Sequence, residues 1–388
     1  MVVISLITLL TILLLIGFIE FYYHKYYLKS IPIRIHVNGA RGKSSVTRLI
    51  AAGIRASGKR VIGKTTGSSP RIINEEGKDI KIHRLRSASI GEQVRLIRSV
   101  AKQNIEILVI ECMAVQPQYQ WVSEQRMIQS SIGVVTNVRP DHLDEMGYTM
   151  NDIAMSLSNS IPENGKLIVH KDRFNKIFNK VASSRNTKLK IVEGGKVDED
   201  YMQKFNYFEH QENVELALSV CLELGIDEKT ALAGILTNTP DPGALVIWEI
   251  KIKKTSNHFV SAFAANDPQS TLDICNKLSD RYPSSQKCIF LNTRSDRQYR
   301  TIQLLSLIYD QIIPDKLIIR GDKLDSLIKK YDFESKNIDV IRFSDNSKSE
   351  SVIDFIGGLE KYLVIGVGNI VGWGDSFVQE IKRYKVNG

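Results

Sequence analysis

Cysteine is scarce: Cys112, Cys221, Cys275 and Cys288 are the four in 388 residues, and none stands in a Cys-x-x-Cys spacing. That excludes a disulfide framework and a cysteine-built metal site, and the four read as free thiols in a reducing compartment. Low-complexity tracts and internal repeats are also missing. With ordinary apolar and charged content this excludes a disordered chain, and the length calls for two globular domains rather than one core. From Met1 to Phe18 there is no charged residue at all. As a helix that run is about 27 Å long, nearly the thickness of the bilayer hydrocarbon. No Lys or Arg precedes it and no small-residue cleavage site follows, which argues against a cleaved signal peptide.

Charge returns behind the run. Lys25, Lys29 and Arg34 place the following body in the cytoplasm, and Tyr22, Tyr23, Tyr26 and Tyr27 suit the membrane interface. Residues 1–28 are therefore expected to form an anchor helix with its interface, a buried core helix being the alternative. The formal net charge is +9. It suits an acidic substrate, nucleic acid or anionic lipid as a neighbour, although a solvated basic surface gives the same number.

Beyond the anchor, Ile33–Val37 is a short apolar run that ends in a glycine-rich turn and leads into a helical pattern reaching Ala56. Strand-like runs recur at Arg60–Thr65, Ile105–Cys112, Ile132–Val138 and Leu167–His170. Helical stretches such as Ile90–Ala101 lie between them, the alternation of a parallel α/β sheet. Another helix is expected over Asn213–Leu224. Pro240-Asp241-Pro242-Gly243 interrupts the pattern, which restarts at Phe259–Ala264, Cys288–Leu291, Leu317–Arg320, Val340–Phe343 and Tyr362–Val367. The expected domains are 29–243, nucleotide-binding, and 244–388, a smaller Rossmann-like α/β unit.

The sharpest local signal is Asn38-Gly39-Ala40-Arg41-Gly42-Lys43-Ser44-Ser45, between a strand and a helix as a phosphate loop must be. Glycines let backbone N–H groups approach phosphate oxygens, the helix N-terminus adds partial positive charge, Lys43 reaches terminal phosphates and Ser44 can hold Mg2+. Val37 stands where the longer Walker pattern has its first glycine. Glu111, ending an apolar strand, can bring a carboxylate oxygen to a metal beside a triphosphate. Thr136-Asn137-Val138-Arg139-Pro140-Asp141-His142-Leu143-Asp144 follows another apolar strand and puts His142 and two carboxylates at its carboxyl end, where open α/β sheets bind ligands.

Taken in order, Gly-x-x-Gly-Lys-Ser, a strand-end Glu and Asp-His-Leu-Asp resemble the central ATPase domain of the Mur ligase superfamily, which includes folylpolyglutamate synthases. The resemblance implies ATP as co-substrate, with Gly39, Ala40, Arg41, Gly42, Lys43, Ser44 and Ser45 on its phosphates and Mg2+ held by Ser44, Glu111 and His142. Asn213 falls where the family has an adenine-contacting asparagine, although His210-Gln211 replaces the usual His-Asn. Ala264-Ala265-Asn266-Asp267-Pro268, Asn292 to Arg297 and Gly366-Val367-Gly368-Asn369 resemble motifs of the family's third domain. Asp267 and Arg297 are thereby expected to complete the catalytic site with Lys43 and His142. Gly-Ala-Arg-Gly-Lys-Ser, Gly-Lys-Thr-Thr-Gly (63–67), Ile-Gly-Glu-Gln (90–93), Glu-Cys-Met-Ala-Val (111–115), Pro-Asp-Pro-Gly-Ala (240–244) and the anchor are similar to the ligase subunits of bacterial poly-γ-glutamate synthases. Those lack the UDP-sugar-peptide domain of true Mur ligases, as this sequence is expected to.

One family feature is missing. Many Mur ligases carry a carbamoylated lysine a dozen or more residues after Asp-His-Leu-Asp to bridge two metals, but Ile153–Asn159 contains none. Lys78, Lys81, Arg84, Arg86, Arg95, Arg98 and Lys102 form a basic stretch that fits a polyanionic chain, anionic lipid or a solvated helix face.

The resemblance implies a fold and a reaction: a transmembrane helix, a Mur-type ATPase domain and a second α/β domain that joins glutamate through its γ-carboxyl, activated as an acyl phosphate. Implied partners are glutamate, the growing poly-γ-glutamate chain and other membrane subunits of a synthesis and export complex; nucleic acid is not among them. A folate-type or other amino-acid ligase, and a membrane-bound nucleotide switch, are the rival readings.

Overall fold

The computed structural model describes every residue except 1, 67–69, 83–88, 206, 208, 241–244, 264–267, 295–297, 323 and 387–388. The chain divides into two compact units, Met1–Lys204 with Glu209–Thr239, and Phe205–Phe208 with Pro240–Gly388.

The first unit is built on eight strands: β1 Ile33–Asn38, β2 Val61–Thr65, β3 Arg71–Ile73, β4 Asp79–Lys81, β5 Ile107–Glu111, β6 Ile132–Val135, β7 Lys166–His170 and β8 Lys188–Val192. They lie in the order β4-β3-β2-β5-β1-β6-β7-β8. The middle strands β2, β5 and β6 are buried along their whole length, as strands covered on both faces must be. The sheet departs from the expected all-parallel form at one edge, where β3 pairs antiparallel with β2 and with β4. Three-residue strands are too short to show a period of two, and Gly77, at φ 82°, turns the chain between them.

Four helices position the site and the anchor: α1 Val2–Lys29, α2 Lys43–Ala56, α3 Gly91–Ala101 and α4 Pro117–Val122. α4 continues directly into a π-helical turn, Ser123–Ile128, that ends at Gln129 with φ 48°. α1 is long and apolar enough to cross a membrane, with mean hydropathy 3.0 and none of its apolar window buried. The apolar run is thus not a core helix. Its end nevertheless enters the unit's core, where Leu28, and Ile31 just beyond the helix, pack with Ile62, Leu96, Ile97 and Ile105.

The second unit holds β9 Val246–Ile252, β10 Thr255–Ser261, β11 Gln286–Asn292, β12 Lys316–Arg320, β13 Asp339–Phe343 and β14 Tyr362–Gly368, in the order β13-β12-β11-β14-β10-β9. Among the described strand pairs of this sheet, β9–β10 is antiparallel and the rest are parallel. Adjacent residues alternate between two cores, as strand geometry requires. Val260, Ile289, Leu317 and Ile365 face one, while Phe259, Phe290, Ile318 and Val364 face the other with Phe377.

Candidate active site

The loop after β1 is held open from beneath and from one side. Asn38 is buried and donates to Gln120 Oε1 at 2.9 Å and Ser160 Oγ at 3.0 Å, so the strand ends on a fixed side chain. Gly39 sits at φ 136°, and a Cβ there would lie 2.0 Å from Thr136 Oγ1. Gly42, at φ 80°, faces Asn213 so closely that a Cβ would lie 2.8 Å from its amide oxygen. Both positions combine the left-handed backbone region with a close neighbour, and only glycine meets both demands. The segment after β6 grips the loop. Asn137 O accepts from Ala40 N at 3.1 Å, Asn137 Oδ1 from Arg41 N at 3.0 Å, and Thr136 Oγ1 donates to Arg41 O at 2.6 Å.

Lys43 opens α2, and its Nζ donates to Gly39 O at 2.7 Å and Ala40 O at 3.1 Å, inside the loop's own curve. Ser44 Oγ donates to Glu111 Oε2 at 2.8 Å. Parallel register sets Glu111 of β5 beside Val37 of β1, so the acid stands at the edge where the loop begins. The same oxygen accepts Thr66 N at 2.7 Å. A buried carboxylate oxygen with two donors and a serine hydroxyl is a hard donor pair of the kind that Mg2+ or Mn2+ takes.

His142 lies in the segment that follows β6. It caps the short helix Leu143–Met146 in the left-handed region at φ 43°, with its side chain half exposed and Nε2 3.9 Å from Asp141 Oδ1. Asp141 in turn lies 3.7 Å from the Arg41 guanidinium, which ties this turn to the phosphate loop. Among the described residues no group of three His, Cys, Asp or Glu side chains gathers as a metal cluster.

Asn213 lies in the first turn of the helix Gln211–Glu223, buried, and donates to Glu209 Oε1 at 2.8 Å. Glu209 was not apparent from the sequence. Burial pushes its carboxyl above the usual carboxylate range, against hydrogen bonds from Asn213, His210 N and Ser45. It therefore links the phosphate loop to Asn213 through one carboxylate. A charged residue one helical turn before Asn213 was the signal available.

Three further motifs meet on the α3 side of the sheet. Lys64, buried in β2, lies 3.8 Å from Glu92 Oε2 and 3.8 Å from Met113 Sδ, joining Gly-Lys-Thr-Thr-Gly, Ile-Gly-Glu-Gln and Glu-Cys-Met-Ala-Val. Ser123 Oγ donates to Gln93 Oε1 at 2.5 Å. His36 Nδ1 is 2.7 Å from Glu124 Oε2 of the π-helical turn, and Glu124 Oε1 accepts Ser130 N and Oγ. Burial works against charge on His36, but Cys112 and Glu124 outweigh it and hold its pKa up at about 10. Where a bridging lysine was sought, Ser156 accepts from Gln120 Nε2 at 3.0 Å and Leu157 is core.

In the second unit, Asn292 ends β11, donates to Asn369 O at 2.6 Å and accepts from Arg320 at 3.1 Å. Asp267 and Arg297 lie outside the described residues.

Comparison with known proteins agrees with this geometry. Residues 37–237 match the Mur ligase middle domain, more than half of the chain. The chain belongs to the Mur ligase family. Residues 247–384 of this Mur ligase match the poly-gamma-glutamate synthase CapB C-terminal domain. It is 35% identical to PGA synthase CapB of Bacillus subtilis (strain 168) over 97% of this chain and 96% of that protein. It is 36% identical to the capsule biosynthesis protein CapB of Bacillus anthracis over 96% of this chain and 82% of that protein. The bifunctional folylpolyglutamate synthase/dihydrofolate synthase of Yersinia pestis, solved with AMPPNP and a Mn ion, shares the fold at TM-score 0.67. That likeness covers 94% of this chain and 92% of the other at 13% identity.

Proposed function

We propose that this Mur ligase is the ATP-dependent ligase of poly-γ-glutamate synthesis, joining glutamate through an amide at the γ-carboxyl. The observation that carries the reading is the phosphate loop with Ser44 on Glu111, set in a chain related end to end to PGA synthase CapB.

A γ-carboxylate oxygen attacks the γ-phosphorus of ATP, the bond to the β,γ-bridging oxygen breaks, and ADP leaves. The amine of the other glutamate then attacks the acyl phosphate carbonyl, loses a proton, and expels inorganic phosphate. The first step needs positioning and charge stabilisation rather than a protein nucleophile. Backbone N–H groups of Gly42, Lys43, Ser44 and Ser45 at the start of α2 face the phosphates, while those of Ala40 and Arg41 are held by Asn137. Lys43 exchanges its two loop carbonyls for phosphate oxygens, a short swing of a side chain already inside the loop. Ser44, Glu111 and His142 would hold Mg2+, which neutralises charge on the transferred phosphoryl group when bound. Asn213, kept in place by Glu209, serves the adenine end. Asp267 and Arg297 are the further catalytic residues that the likeness to Mur ligases implies.

α1 anchors the protein in the cell membrane as a single pass, with both catalytic units in the cytoplasm. Other membrane subunits carry the product outward. One apolar helix encloses no polar path, and a polyanion is very costly to move through hydrocarbon.

The experiment is ADP release by the purified protein with and without glutamate and an acidic polymer primer. Release that rises with glutamate is the expected result. Release indifferent to both additions would favour a nucleotide switch.

A further inference from the structure

We propose that a basic collar where α1 leaves the protein docks on the anionic phospholipid headgroups of the leaflet that α1 enters. The proposal rests on the reading of α1 as a membrane span. Its own basis is how the last turns of α1 are fixed. His24 Nε2 is 2.8 Å from Met127 O, and Lys25 donates to Gln129 Oε1 at 2.9 Å. The Arg34 guanidinium then donates to Leu28 O, Ile31 O, Ile128 O and Gln129 O, closing the helix end onto the π-helical turn. With Leu28 and Ile31 in the core, α1 joins the first unit as a rigid post rather than a loose tether.

That post brings specific side chains to a specific depth. Arg98 of α3 lies 5.9 Å from the centre of the Tyr27 ring. Tyr27 is seven residues beyond Glu20, the first charge after the apolar run, and so about 10 Å past its end along the helix. The headgroup layer is roughly 5–8 Å deep on each side. Arg98 is therefore within about 10 Å, roughly one Debye length at 0.1 M salt, of the charged surface. Arg95 and Lys102 share its exposed stripe, at i−3 and i+4, while Leu96, Ile97, Val100 and Ala101 turn inward. On the other flank Arg126, next to the His24 acceptor Met127, lies over Trp121 at 5.3 Å. Lys25 and Lys29 of α1 complete the collar. The acids nearby are fewer than the six basic groups: Glu20 on α1, Glu106, which accepts Arg60 N, and Glu124, which is buried against His36, while Glu92 sits at the far end of α3 beside Lys64. Like-signed charge arranged around a membrane-entering helix fits anionic lipid, and each basic group near such a surface adds to the attraction.

The test uses the full chain in nanodiscs of phosphatidylcholine, with or without phosphatidylglycerol, and measures amine acylation by mass spectrometry. Lys29 and Lys102 report the collar, and Lys180, exposed in the helix Asn175–Ser184 over the far β7–β8 edge, is the control. Acylation at the collar is expected to slow about fivefold with phosphatidylglycerol, to recover in roughly 1 M salt, and to be unchanged at Lys180. In Arg95→Glu/Arg98→Glu the slowing at Lys102 disappears while the protein still floats with vesicles. The salt recovery tests the same claim in the unaltered protein, should that variant fold poorly. Flotation with equal acylation in both lipids overturns the collar and leaves the anchor standing; failure to float overturns the anchor reading itself. Equal protection in phosphatidylcholine by added polyglutamate would assign the collar to the polymer and overturn the lipid proposal.

Discussion

One oxygen of Glu111 accepts both the Ser44 hydroxyl and the Thr66 amide, so the carboxylate is oriented before any cation arrives. Glu111→Gln keeps the shape and removes the charge. It is expected to raise the Mg2+ concentration for half-maximal activity by about tenfold or more, read from a metal titration at saturating ATP. An unchanged titration would remove Glu111 from the metal site. Glu209 acts at one remove, through Asn213 and Ser45. Glu209→Ala strands buried donors at about 1–3 kcal/mol, so KM for ATP is expected to rise about tenfold with kcat little altered. Equal falls in kcat and kcat/KM would instead place it in the chemical step. The phosphate-loop residues were legible because backbone approach to phosphate demands glycine and a cation at set spacing. Glu209 was not, since its spacing of one helical turn before Asn213 is a weak signal that gains meaning only from its burial. His36 carries a pH signature. Its pKa is raised on folding from the ordinary 6.5 to about 10. The contacts with Cys112 and Glu124 contribute fully below the unfolded value and are lost as pH rises through the folded one. Denaturant stability is expected to fall between about pH 6.5 and 10, with a flatter profile in His36→Gln.

At the scale of elements, α1 serves two environments along its length. The residues described in a 1–21 deletion are all exposed, whereas a cut after residue 28 also deletes His24, Lys25 and the buried Leu28. The longer deletion is expected to lose a few kcal/mol, about the cost of emptying a leucine site, and to melt lower than the shorter one. Identical melting curves would show that these turns add nothing to the core. The apolar run of α1 and the core strands β1, β5 and β6 were readable because each is continuous and buried or membrane-length. The edges were not. Lys188–Val192 alternates charge along an outer strand, and the β9–β10 turn uses Lys253 at φ 57° where glycine or asparagine is the usual sign.

For the whole molecule, the restart of strand–helix alternation after Pro240 was visible, and the structure divides between Thr239 and Pro240. The return of residues 205–208 to the second unit was hidden, because Tyr207 makes a single bridge to Val246 and no periodic strand. The proposed reaction turns on activation of a γ-carboxylate as an acyl phosphate. Glutamate labelled with oxygen-18 in its γ-carboxylate tests it directly, by mass spectrometry of the inorganic phosphate released during ligation. One labelled oxygen is expected in each phosphate, and both product and label transfer are expected to fall about a hundredfold or more in Lys43→Ala. Amide product accompanied by unlabelled phosphate would contradict it.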